Sequence, residues 1–134
     1  MPTDDELRAI YTDTKTIAVV GASSNKEKPG YSIPRYLQEA GFRIIPVSPK
    51  GGELFGEPVR TSLEEIDEPV DVVDVFRPAE ETPGIAREAV GIGAKVLWLQ
   101  AGVSSDEASE IATAAGLKVV MDMCMGETHN RLFR

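Results

Sequence analysis

Five short stretches of the 134-residue sequence combine small, polar or charged residues suited to binding or catalysis, and each follows an apolar run. Gly21-Ala22-Ser23-Ser24-Asn25-Lys26 follows Ile17–Val20. Its small residues would let backbone N–H groups approach a phosphate, and the helix expected next would add its positive N-terminal end. The dinucleotide fingerprint G-x-G-x-x-G is not met, since Ser23 and Lys26 stand where its second and third glycines would be, and no Walker G-x-x-x-x-G-K-S/T occurs. Ser48-Pro49-Lys50-Gly51-Gly52 follows Arg43–Val47. An NAD site wants Asp or Glu at that point to hold the ribose hydroxyls. Ser48 and Lys50 suit a phosphorylated ribose instead, which leaves NADP or a 3′-phosphorylated adenosine such as coenzyme A; the alternative is a plain Pro/Gly turn with a solvated lysine. Arg77-Pro78, Gln100-Ala101-Gly102, and Asp122 with Cys124 follow the remaining runs. Cys124 and His129, the only residues of their types, could form a pair in which the imidazole lowers the thiol pKa. A buried small hydrophobe beside a histidine that fixes the tail explains the same residues and is preferred. Met121, Met123 and Met125 alternate at strand spacing and are expected to pack.

The elements that must position these stretches follow from periodicity. Thr3 with Glu6 three residues on forms a capping box, and Leu7, Ile10 and Tyr11 share one face, so residues 1–14 hold a short amphipathic helix packed on the domain. Strands are expected over 16–20, 43–47, 70–76, 94–100 and 117–121, because short, nearly continuous apolar runs suit strands covered on both faces. Pro46 within the second suggests a weakly paired end. Helices are expected over 30–40, with Pro34 in the first turn, over 79–92, over 105–115 capped by Ser104 or Ser105, and over 125–134, with a single helical turn through Leu63 and Ile66. Strict alternation of strand and helix implies an α/β fold, a Rossmann-like, doubly wound sheet of five parallel strands in one domain spanning 1–134. In such sheets ligands bind beyond the carboxyl ends of the strands, where strand order reverses, and that is where all five stretches fall.

Composition narrows the class. Apolar residues at 42% and charged residues at 27% describe a chain able to build a core. No apolar run approaches the ~20 residues of a membrane span, and the acidic start Met1–Glu6 has neither a signal-peptide apolar region nor an Arg-rich transit pattern. One cysteine excludes an internal disulfide framework and a Cys-rich metal site, so a reducing cytoplasm is expected. Fourteen bases against 22 acids, net −8, argue against nucleic acid as a partner. The acidity is local: residues 51–81 hold ten acids and two bases, whereas residues 26–50 hold five bases and two acids, a positive zone suited to an anion.

Four of the motifs, in order and with matching gaps, resemble one family. Ile17–Ser23, Pro46–Lys50, Asp74-Val75-Phe76-Arg77-Pro78 and Leu97-Trp98-Leu99-Gln100-Ala101-Gly102 are similar to the small stand-alone CoA-binding proteins, and so to the nucleotide-binding domain of the succinyl-CoA synthetase α-subunit and of ADP-forming acyl-CoA synthetases. The resemblance runs from about residue 10 to the end. It implies coenzyme A or an acyl-CoA laid across the strand ends. Gly21, Ala22, Ser23, Ser24 and Lys26 would take the diphosphate, and Val47, Ser48, Pro49 and Lys50 the adenosine and its 3′-phosphate. Phe76, Arg77 and Pro78 would line the adenine or pantetheine side, and Leu99, Gln100 and Ala101 the pantetheine. The family's Glu-His ending is altered here, with Thr128 before His129, and these 134 residues are not expected to hold the synthetases' second domain with its phosphorylated histidine. A binding module without catalytic or metal-binding residues is therefore expected. Its alternatives are an NADP-dependent oxidoreductase subunit or a redox-active CoA-thiol enzyme using Cys124; a ligand-sensing repressor would need a winged helix that this length cannot hold. A homodimer or an unidentified protein partner is left open.

Overall fold

The structure is a computed structural model that describes residues 2–134. Along the chain run α1 (Asp4–Asp13), β1 (Thr16–Val20), α2 (Pro29–Glu39), β2 (Arg43–Val47), the short strands β3 (Glu53–Leu54) and β4 (Glu57–Pro58), β5 (Val72–Val75), α3 (Thr82–Gly91), β6 (Val96–Leu99), α4 (Asp106–Ala114), β7 (Lys118–Val120) and α5 (Met125–Phe133). The expected one-turn helix is a 3-10 turn over Leu63–Glu65. Strands β2-β1-β5-β6-β7 form one parallel sheet in that order. The fold is the single-domain, Rossmann-like α/β architecture expected. The antiparallel β3–β4 hairpin is an addition that the apolar pattern did not announce.

Alternation along each strand divides the core into two layers. Ala18, Ile45, Val73, Val75, Leu97 and Leu99 pack toward Ile85, Ala86 and Ala89 of α3 and Ala108 and Ala112 of α4. Ile17, Val19, Ile44, Val72, Val96 and Trp98 pack toward Leu7, Ile10 and Tyr11 of α1, Leu37 of α2 and Met125 of α5. The capping box of α1 forms in both directions between Thr3 and Glu6, and the Tyr11 hydroxyl donates to the Met125 carbonyl at 2.6 Å, tying the first helix to the last. No helix among the described residues is long and apolar enough to cross a membrane.

Two prolines differ from expectation. Pro46 does not weaken the end of β2, which pairs with β1 over its whole length. A residue's N and C=O point to the same side of a strand. Because the Arg60 N–H donates to the Pro46 carbonyl at 3.0 Å on the outer edge, the missing proline donor also faces outward, where the β1 ladder does not need it. Pro34 lies in the interior of α2, not its first turn, since the helix begins at Pro29. A proline cannot donate to the carbonyl four residues back. That carbonyl belongs to Gly30, and it accepts instead from the Ser23 N–H at 3.1 Å.

This exchange fixes the loop between β1 and α2. Gly21 ends β1 at φ +90°, a left-handed conformation that disfavours side chains. Gly30 packs on it so closely that a Cβ at Gly30 would sit 2.7 Å from the Gly21 carbonyl oxygen. In an open helix Gly→Ala would gain about 1 kcal/mol. Here Gly30→Ala is expected to destabilise the fold by about 1–3 kcal/mol through overpacking, read as a lower urea midpoint at unchanged slope. A raised midpoint would show that α2 does not press on β1 at this point.

Candidate functional site

Neighbouring β1 and β5 lead to helices on opposite faces of the sheet, α2 and α3, and a cleft opens between their carboxyl ends. Its volume is about 1040 Å³. Of the residues expected to hold a ligand, Gly21, Ala22, Ser23 and Ser24, then Ser48, Pro49 and Lys50, then Phe76, Arg77 and Pro78, and finally Gln100 and Ala101 line this one cavity. Three do not. Val47 and Leu99 have side chains buried in the core beneath it. Lys26 is exposed on a turn, built by the Glu27 N–H donating to Asn25 Oδ1 at 3.0 Å, and does not line the cleft.

The first loop leaves donors free. The N–H groups of Gly21 and Ala22 bond to the Val47 carbonyl at 3.0 and 3.4 Å, and that of Ser23 bonds to Gly30. Among the described residues, no protein acceptor takes the N–H of Ser24. The end of α2 facing the cleft has Lys28 as N-cap, Pro29 at its first position, no side-chain cap and no acid in its first turn. Its partial positive charge is therefore not neutralised from within. Lys28, Gly30 and Ser32 line the cleft and were missed by the sequence reasoning. Fingerprint spacing would put the close-packing glycine at position 26, which is a lysine; the longer loop gives that role to Gly30.

In the second loop, the N–H of Lys50 donates to Ser48 Oγ at 3.3 Å and that of Gly51 to the Ser48 carbonyl at 3.2 Å. Lys50 is exposed and takes part in no ion pair among the described residues. Arg77 differs: Glu81, one helical turn on, takes its guanidinium through two bonds of 3.0 and 2.7 Å. Its charge is already answered. Much of the acidic stretch is likewise engaged away from the cleft. Arg43 bridges Glu57 and Glu68. Asp71 accepts the N–H groups of Lys15 and Thr16 at the opposite edge of the sheet. Glu53 is the acid of this stretch that lines the cleft.

Beneath the cleft Gln100 bonds through Nε2 to Oδ1 of Asp74, a residue with no exposure in the middle of β5. Asp74 Oδ2 has no hydrogen-bond partner among the described residues. Burial pushes this carboxyl up to about 7, against the smaller opposing effects of the Gln100 bond and of the Val75 backbone N–H.

Cys124 lines the same cleft, half-buried, where it caps α5: its sulfur lies 3.5 Å from the Glu127 N–H. Burial raises its thiol pKa, the direction opposite to an activated thiolate. His129 does not supply the missing base. Its Nδ1 is 2.9 Å from the Tyr36 hydroxyl, and its ring packs against Phe133 at 5.0 Å and Tyr11 at 5.3 Å between centroids. Burial holds the imidazole below its ordinary pKa. The histidine fixes the tail, whereas Cys124 is half-buried at the cleft and is not the buried hydrophobe expected.

Known proteins share both the sequence and the fold. Residues 15–130 match the family described as CoA binding domain. The chain is 38% identical over 128 residues to the protein YneT of Bacillus subtilis, covering 96% of this chain and 95% of that one. A solved structure from Thermus thermophilus, cell-free ID.343, superposes with a TM-score of 0.94 at 42% identity, covering 98% of this chain and all of the other. The α-subunit of an ADP-forming acetate–CoA ligase I from Pyrococcus furiosus is 36% identical over 97 residues, which span 68% of this chain and only 21% of the ligase subunit. A family match over most of the chain and near-full-length relatives in sequence and structure show that the chain belongs to the CoA-binding domain family.

Proposed function

We propose that the cleft binds coenzyme A, free or acylated, and that the chain acts as a binding module. The observation that carries this is Lys50: an exposed ammonium in no ion pair among the described residues, at the end of β2 where the ribose of a nucleotide at the switch point would lie. The 3′-phosphate would meet Lys50 and the hydroxyl of Ser48. The diphosphate would meet the free N–H of Ser24 and the uncapped start of α2, where a helix N-terminus favours anions. The pantetheine arm would run between Phe76–Pro78 and Gln100–Ala101 and end near Cys124. A cavity of about 1040 Å³ is large enough for so extended a ligand. No imidazole reaches the cleft among the described residues, and the one thiol there has a raised pKa. The proposal is therefore recognition rather than group transfer.

Calorimetry separates the ligand classes. Coenzyme A should bind more tightly than NAD or NADP, and Lys50→Ala should weaken it roughly ten- to a hundredfold, the worth of a hydrogen bond to a charged group. The same substitution should hardly change 3′-dephospho-coenzyme A. Tighter NADP binding would turn the assignment toward an oxidoreductase subunit, and an equal loss for both coenzyme A forms would place Lys50 elsewhere.

Cys124 reports on the other end of the ligand. In the free protein its alkylation by iodoacetamide should be slow at neutral pH and accelerate as pH rises past the ordinary thiol range. With coenzyme A bound, diamide should produce a mixed disulfide, seen as one added coenzyme A in the intact mass and absent from Cys124→Ser. Fast alkylation at neutral pH would overturn the raised thiol pKa, and the lack of an adduct would remove the thiol end of the ligand from this position.

A further inference from the structure

We propose that Asp74 is a positioning residue: it fixes the direction of the Gln100 side-chain amide, so that the inner cleft presents an oxygen acceptor to a secondary-amide N–H of the ligand. This rests on the coenzyme A assignment above, whose pantetheine arm carries secondary amides, and adds to it a residue that does not line the cleft.

The argument begins with an unfavourable placement. Asp74 faces the layer that holds Val19, Val72, Val96 and Trp98, and a valine would fill such a position without penalty. A carboxyl there is fully buried, and among the described residues Oδ2 has no hydrogen-bond partner, an arrangement that proteins avoid unless it serves some purpose. The one side-chain bond it makes is to Gln100, which lines the cleft directly above. A primary amide has a donor end and an acceptor end. An ionised carboxylate accepts only, so Nε2 must turn inward and Oε1 outward. Among the described residues no protein group donates to Oε1.

The surroundings of Asp74 leave it in control of this orientation. Its register neighbours on β1 and β6, Val19 and Trp98, carry no charge. The titratable groups coupled to it are Tyr11 from α1 and Cys124 at the start of α5, and burial raises the pKa of both, which keeps them neutral. Of these three groups Asp74, whose carboxyl burial pushes up to about 7, is the one whose charge changes between pH 6 and pH 8; His129 of α5, beyond Tyr11, is held by burial below its ordinary pKa. Once protonated Asp74 can donate to an amide oxygen, and the amide of Gln100 is then free to turn over. The preference for a ligand N–H should accordingly rise as pH increases through the titration of Asp74.

The test compares coenzyme A with analogues in which a pantetheine amide N–H is replaced by an ester oxygen, using calorimetry on the intact chain. At pH 8 one analogue should bind roughly ten- to a hundredfold more weakly than coenzyme A, because an acceptor facing an acceptor is left unsatisfied. The gap should narrow at pH 6. In Asp74→Asn, whose side chain can donate as well as accept, it should fall toward unity at both pH values, while the preference for coenzyme A over its 3′-dephospho form persists. Should Asp74→Asn fail to fold, the paired replacement Asp74→Leu with Gln100→Met removes both polar partners and should show no gap. An undiminished, pH-independent gap in Asp74→Asn, or no gap in the native chain that binds coenzyme A, would overturn the proposal alone. Failure of the native chain to bind coenzyme A would overturn the functional assignment, and this proposal with it.

Discussion

The approach of Gly30 to the carbonyl of Gly21 is the contact on which the carboxyl edge of the sheet depends. It brings the start of α2 against the end of β1 with no side chain between them, so the helix N-terminus opens into the cleft. Pro34 makes the arrangement self-consistent. By giving up its own hydrogen bond it releases the Gly30 carbonyl to hold Ser23, and the loop is pinned at both ends while the N–H of Ser24 stays free. A dinucleotide fold reaches the same result with three glycines in a short loop; here two glycines and a proline do it across a longer one.

Much of this was legible in the sequence because it is written in local signals. Continuous apolar runs located the five strands, a capping box located α1, and Ser105 was one of two candidates for the cap of α4 that it provides. The ends of strands then gave the cleft, since in a parallel sheet they all lie at one edge. The rest depends on relations that no local pattern carries. Strands of two residues have no period, so β3 and β4 were invisible, although Phe55 at φ +56° and Gly56 at +76° make the turn that joins them. Val47 and Leu99 belong to matching motifs, but alternation sends their side chains into the core. Asp74 reads as one polar residue within an apolar strand; its isolation becomes a fact only when the helices are placed over it.

Net charge proved a poor guide to the field at the cleft. The acidic surplus between residues 51 and 81 is partly spent in a half-buried network of Arg43, Arg60, Glu57 and Glu68. Such pairs contribute little individually, but together they tie β2 to β4 and to the turn before β5. The bases matter more by what they lack. Arg77 and Lys50 both line the cavity, yet one is engaged by a carboxylate and the other is not. An anion entering the cleft meets Lys50 unopposed, and meets Arg77 only in competition with Glu81.

The outer flank of β2 has a consequence for how the molecule can meet others. A sheet edge normally offers a row of unpaired backbone groups, and such rows template pairing between chains. Here Pro46 removes one donor from that row, and the segment at Arg60 occupies its neighbours by accepting from Ser48 and donating to Pro46. The opposite edge, β7, is only three residues long. Neither margin offers a long open strand to a second sheet. Association between copies would then have to be built from side chains on helix and loop surfaces, where it can be specific, and not from backbone addition, which would favour fibrous growth.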